Sequence, residues 1–397
     1  MSAILAKGVI VNMNIGDYKG VSEAHLAVAR HFSSPALLGP PMCDELLALV
    51  EHMFTEEEAE IVRFIPPLKI RTAGMLARSS GRRLEEVDKI LYKLAYEKYV
   101  ILAVEKAGRK FYSLMPLLPG TFEEVLLRTN PDSVTPWHKK FAELHERLYN
   151  TGYNVRYYNR DDKALKAVRY LPVGESIEGN QMAYPSDRLE EVLEPYSDFS
   201  VGICQCRLSK ELLGEGCGKK LEACLIMGPL AKSLVSQGRM RAVSRQEAID
   251  IKREAESEGL ITWMLNVDTK IFNVSCSCCG CCCDALRSVT QFNTPGLIAP
   301  PHFMPDISFT SCRACMKCVN DCPMGALKML ENESGNRLSF DSKRCVGCGL
   351  CSLACKDGLI RMEAVENYSK PKGVFGYLAQ TAPHYLKSVV KERYLRR

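Results

Sequence analysis

Eight cysteines toward the C-terminus repeat one spacing. Cys312, Cys315 and Cys318 are separated by two residues each, Cys322 follows after three more, and Pro323 stands behind it. The same run returns 33 residues later as Cys345, Cys348, Cys351 and Cys355. Three thiolates spaced by two residues can wrap a loop around a cubane and hold three of its irons, while a fourth, displaced by three more, points away to the cluster of the other half. The spacing therefore predicts one [4Fe–4S] cluster on Cys312, Cys315, Cys318 and Cys355, and a second on Cys345, Cys348, Cys351 and Cys322. Zinc needs only four ligands per ion and usually takes them from two separated CxxC pairs, so two complete runs of four favour clusters.

The double run resembles the bacterial-type two-cluster ferredoxin domain. Two positions depart from it: Lys356 stands where proline is usual after the second run, and Ala314 where glycine is frequent. Neither removes a ligand. Lys356 places a cation beside the Cys355 thiolate, which should favour the reduced, more negative cluster and raise its potential slightly. Residues 306–357 carry seven basic and six acidic side chains, a near-neutral balance that suits a fixed relay docked to neighbouring parts of the chain better than a free shuttle.

A second constellation lies upstream: Cys204, Cys206, Cys217 and Cys224, then Cys276, Cys278, Cys279, Cys281, Cys282 and Cys283. Together these ten thiols could supply a further iron–sulfur centre, a zinc site, or redox-active thiols; which four would ligate is not fixed by the spacing. Cys204, Cys206, Cys217 and Cys224 are the first choice, joined by members of the 276–283 run, and Arg207, beside Cys206, either steadies thiolates or is an ordinary surface arginine. Of nineteen cysteines only Cys43 lies outside 204–355. Adjacent triplets such as 281–283 in a chain of 397 residues do not suit a secreted disulfide scaffold, and metal ligation in a reducing cytoplasm is expected.

The elements that must position these thiols read as an α+β, multi-domain chain. An N-terminal extension (1–20) precedes a helical region (21–119). Short helices are expected from Glu56 and over Thr72–Ala77, a third over Leu84–Tyr96, and then a hairpin joining Val100–Val104 to Phe111–Leu114 around Gly108. Three helices and a hairpin look like a winged helix. The third helix carries Glu85, Glu86, Asp88 and Glu97, a poor surface for phosphates, so nucleic acid is not the expected partner. Residues 120–200 read as a mixed α/β connector with a helix over 135–150, a strand over 167–173 and a helix over 187–193. Tyr153, Tyr157 and Tyr158 are expected in a core or interface. The cysteine-rich metal-binding domain spans 201–303, the two-cluster domain 304–362 and a basic tail 363–397.

No GxGxxG or Walker-type loop supports a nucleotide or flavin site, and no residue stands out as a general acid, base or nucleophile. The residues before Gly20 do not read as a signal peptide, and no apolar run is long enough to span a membrane. The net charge of +5 sits in the tail: residues 369–397 hold seven Lys and Arg against Glu392 alone. A helix is expected over 376–395, interrupted at Pro383, with peripheral membrane contact as a lesser use of its cations.

The whole order (helical winged-helix-like start, CxCR with Cys217 and Cys224, the CxCCGCCC run at 276–283, two-cluster tail) resembles a family of large ferredoxin-type iron–sulfur proteins from anaerobes. That resemblance covers about residues 21–365 and implies metal binding and electron transfer. The expected role is passage of single electrons to or from a partner redox enzyme. The alternatives are a cluster-dependent reductase acting on a small molecule and a redox-sensing winged-helix regulator.

Overall fold

The computed structural model describes residues 20–157, 166–269, 272–294, 298–309, 312–332, 335–366 and 368–396. The expected extension 1–20, apart from Gly20, and Tyr158 lie outside the described residues.

The chain begins with five helices: α1 (Glu23–Phe32), α2 (Asp44–Met53), α3 (Glu56–Val62), α4 (Ala73–Ser80) and α5 (Leu84–Tyr92). Side-chain caps start several of them. The Thr55 hydroxyl accepts from the Glu58 amide at 3.3 Å and the Glu58 carboxylate accepts from the Thr55 amide at 2.8 Å, satisfying donors that a helix start leaves open. Glu58 is also tied to Lys98 at 2.6 Å and Lys93 at 3.1 Å. The hairpin follows as β1 (Leu102–Lys106) and β2 (Arg109–Ser113). Its two-residue loop, Ala107 and Gly108, has positive φ at both positions, the mirror-image turn that matches strand twist. Arg71 adds a backbone bridge to Tyr112.

Two helices from the expected connector, α6 (Phe122–Leu126) and α7 (Pro136–Asn150), bury Phe122, Leu126, Phe141 and Leu148 in the same core as α1–α5. The connector's strand β3 (Val168–Tyr170) instead joins a six-stranded antiparallel sheet, and α8 (Leu189–Leu193) packs beneath it. The rest of that unit is β4 (Phe199–Ile203), α9 (Gln205–Leu212), β5 (Glu222–Met227), α10 (Pro229–Ser236), β6 (Arg241–Val243), α11 (Arg245–Ser257), β7 (Ile261–Leu265), β8 (Asn273–Cys278) and α12 (Asp284–Thr290). Strand order is β3-β7-β8-β5-β4-β6.

The two-cluster segment runs β9 (Phe303–Ile307), α13 (Lys317–Asn320), β10 (Leu327–Asn332), β11 (Gly335–Phe340), α14 (Leu350–Ala354) and β12 (Ile360–Ala364). β9 pairs antiparallel with β12, and β10 with β11. The tail forms α15 (Val374–Leu395), and Pro383 sits inside it without the expected interruption. A proline removes one amide donor, and neighbouring turns can carry the helix past it. Contacts to the N-terminal unit hold its far end: Tyr385 donates to the Ala36 carbonyl at 2.5 Å, and the Arg396 guanidinium donates to the carbonyls of Gly39 at 2.7 Å and Pro40 at 3.2 Å. Among the described residues, no helix is long and apolar enough to cross a membrane.

Candidate metal centres

All nineteen cysteines are free thiols. In the C-terminal segment, α13 and α14 carry Cys318 and Cys351, and the loops before each helix carry the pairs 312/315 and 345/348. One cavity is lined by Cys322, Cys345, Cys348 and Cys351 with Met324, Phe340 and Leu350. The other is lined by Cys312, Cys315, Cys318 and Cys355 with Met329, Leu338 and Ile360. The structure thus gathers each three-cysteine loop with the fourth cysteine of the other run. Soft thiolates on a largely apolar wall fit an iron–sulfur cubane.

The two cavities differ in surroundings. Around the first, burial pushes the Cys345 thiol up to about 11 and Cys351 to about 12, and raises Cys348 further. The Cys348 carbonyl accepts from the Val173 amide at 2.9 Å, and Cys322, Cys345 and Cys348 pack into one apolar cluster with Tyr170, Ile261 and Leu286 of the central unit. Around the second, Cys315 is exposed. Arg313, on the rim, is bound to the Asp357 carboxylate.

The ten central thiols collect at one end of the six-stranded sheet. Antiparallel register puts the end of β4, the start of β5 and the end of β8 side by side: Gly202 pairs with Cys224, Leu225 with Ser275, and Ile261 of β7 with Cys278. An interior group follows. Cys204 interacts with Cys206, Cys206 with Cys283, and Cys224 with Cys276, and Cys283 lies 3.4 Å from Cys278. The Cys276 interaction holds Cys224 below the ordinary thiol range against the effect of burial, with help from Lys252.

Cys217 stands apart from Cys204, Cys206 and Cys224. Its sulfur, with those of Cys279, Cys281 and Cys282, forms a group whose members all lie within 4.8 Å of one another. Hydrogen bonding from Cys282 brings Cys279 down to about 4 against the effect of burial.

Two buried cations serve these thiols. Arg207, 1% exposed, donates through Nη1 to the Ser277 carbonyl at 2.6 Å, while its Nε and Nη2 have no protein acceptor. Burial disfavours its charge, and Cys204, Cys279, Cys278 and Cys217 more than offset that. Lys252, fully buried, hydrogen-bonds Ser277 Oγ at 3.1 Å; burial lowers it to about 8, opposed by Cys276, Cys278 and Cys224. Sequence reasoning singled out Arg207 and missed Lys252. The available signal was a lysine on the helix face that also buries Ala248, Ile251 and Ala255.

The helices α9 and α12, which start directly after Cys204 and Cys283, are held by α7. Glu146 Oε1 binds Lys210 at 2.8 Å and Arg287 at 2.7 Å. Burial would raise this carboxyl, and the two cations outweigh it and hold it low. Tyr149 donates to the Asp284 carbonyl at 2.8 Å.

Residues 311–367 match the family described as the 4Fe–4S dicluster domain. A 73-residue stretch is 37% identical to protein RdxA of Cereibacter sphaeroides, covering 18% of this chain and 12% of that protein. The uncharacterized ferredoxin-like protein YdhY of Escherichia coli is 39% identical over 54 residues, 13% of this chain and 25% of its own. The archaeal-type glutamate synthase (NADPH) of Thermotoga maritima is 28% identical over 93 residues, 23% of this chain and 17% of the enzyme. The chain spans a quarter or less of the length of these relatives. No solved structure matches. The C-terminal part of the chain is a two-[4Fe–4S] ferredoxin domain, built into a larger α+β protein.

Proposed function

We propose that this chain is an electron carrier that passes single electrons to or from a partner redox enzyme. Cluster one is held by Cys312, Cys315, Cys318 and Cys355, and cluster two by Cys345, Cys348, Cys351 and Cys322. The observation that carries this reading is the crossed lining of the two cavities. The exposed Cys315 supports cluster one as the docking end. The packing of Cys322, Cys345 and Cys348 against the central unit supports cluster two as the inner station, leading toward a third iron–sulfur centre among the interior thiols Cys204, Cys206, Cys224, Cys276, Cys278 and Cys283. The resemblance of one stretch to a glutamate synthase supports an enzyme as the partner.

Anaerobic purification with iron and sulfide analysis and EPR tests it. About eight irons correspond to two cubanes and about twelve to a third, at four irons each. Colourless protein holding zinc and no acid-labile sulfide sinks the reading. The buried cations Arg207 and Lys252 beside the interior thiols favour one rival, a reductase whose central centre acts on a small molecule; it requires reduced viologen to be consumed only when that molecule is added. A regulator would bind duplex DNA with steep salt dependence. The carboxylates Glu85, Glu86 and Asp88 on α5 weigh against it.

A further inference from the structure

We propose that Cys217, Cys279, Cys281 and Cys282 form a mononuclear tetrathiolate site for a thiophilic divalent ion, zinc, separate from the cubanes and from the six interior thiols. The argument is one of spacing. Four thiolates placed tetrahedrally about 2.3 Å from one zinc ion stand about 3.8 Å from each other. Here Cys217 and Cys279 are 3.9 Å apart, Cys281 and Cys282 are 3.7 Å apart, and all four sulfurs lie within 4.8 Å of one another. A cubane interposes four irons and four sulfides between its thiolates and holds them much farther apart. The contrast exists inside this molecule. Each ferredoxin quartet lines a cavity, and among the described residues no other group of three or more ligand atoms is drawn together as closely as these four.

The site is built from two pieces of chain. Cys279, Cys281 and Cys282 form a knuckle between β8 and α12, and Cys217 comes from the loop joining α9 to β5. Four thiolates around a divalent ion leave a charge of −2, and the Arg207 guanidinium lies within electrostatic reach of both Cys217 and Cys279. Its Nε and Nη2 are buried and without protein acceptors, so its charge is not committed to a carboxylate. Gly280, inside the knuckle, lies against the ferredoxin segment: a Cβ there would come 1.8 Å from the Pro323 carbonyl oxygen. The ion therefore staples the knuckle that ends in Cys278 on one side and Cys283 on the other, and that backs onto the residue after Cys322. Zinc has no redox chemistry, so this site positions the electron path without lying on it.

Protein prepared anaerobically with zinc supplied should hold one zinc per chain in addition to its iron. X-ray absorption at the zinc edge should report four sulfurs at about 2.3 Å and no iron neighbour. Cys281→Ser alters the exposed ligand, and Cys217→Ala removes the one supplied by the other loop; both should lose the zinc while the iron count and the EPR spectrum of the two ferredoxin clusters persist, which also reports that the protein has folded. Loss of about four irons from either variant, at four per cubane, overturns the proposal in favour of a cluster at this site. So does the absence of stoichiometric zinc from the parent protein, or its retention in both variants. Iron and zinc are counted separately, so failure here leaves the electron-transfer reading standing, and the reverse also holds.

Discussion

The two halves of the ferredoxin domain share one cysteine spacing and live in opposite surroundings. In the second half, Gly347 and Gly349 adopt left-handed backbone at φ 73° and 79°. A Cβ on Gly347 would meet the Phe303 carbonyl oxygen at 2.4 Å, and one on Gly349 would meet Ser176 Oγ at 2.1 Å. In the first half, the equivalent positions are Ala314 and Met316, at φ 55° and 66°. The same turn is made without glycine there, because that loop faces solvent and only the backbone strain has to be borne. One half has been shaped by docking onto the central unit and the other left open at the surface. A glycine missing from a motif thus marks which face is free.

The largest test of this contrast is to remove one ligand from each half. Cys348→Ser and Cys315→Ser should each lower the iron content by about four per chain, one cubane's worth. Cys348→Ser should also lower the melting temperature by several degrees while Cys315→Ser barely moves it; equal shifts would break the contrast. The glycine pair comes next. Gly347→Ala meets rigid backbone as well as an unfavourable φ and should cost about 2–4 kcal/mol in denaturant unfolding. Its counterpart Ala314→Gly should change stability by no more than about 1 kcal/mol, in the stabilising direction if relief of strain outweighs the entropy glycine adds to the unfolded chain.

A smaller effect is expected at the open rim. Arg313→Ala should leave iron and melting temperature unchanged and alter the rate of electron exchange with the partner a few-fold, an effect that fades as salt is raised. The smallest is Lys356→Ala. This exposed cation follows Cys355, so its loss should lower the midpoint potential of cluster one slightly, and less at high salt, in an EPR-monitored redox titration.

The helices over 56–62, 73–80 and 84–92 and the hairpin after them were legible because each is specified by neighbours a few residues away: a capping threonine, an apolar face, an Ala-Gly turn. The continuous α15 was not, since Pro383 carries a strong local signal and the contacts that anchor the end of that helix, from Tyr385 and Arg396 to residues 36–40, are remote in sequence.

The same division runs through the metal centres. Gaps of two, two and three residues determine which ferredoxin cysteines can face one cavity, because a short loop can close in few ways and the fourth thiol must point outward. For the ten central cysteines the sequence determined only that soft ligands were abundant. Their separation into an interior six and a tight four was decided by tertiary structure. It depends on the register of β4, β5 and β8, on a loop that carries Cys217 across to the 279–282 knuckle, and on cations that long-range packing buries among them. Strand pairing is set by burial across the whole sheet, and no spacing within a single segment encodes it.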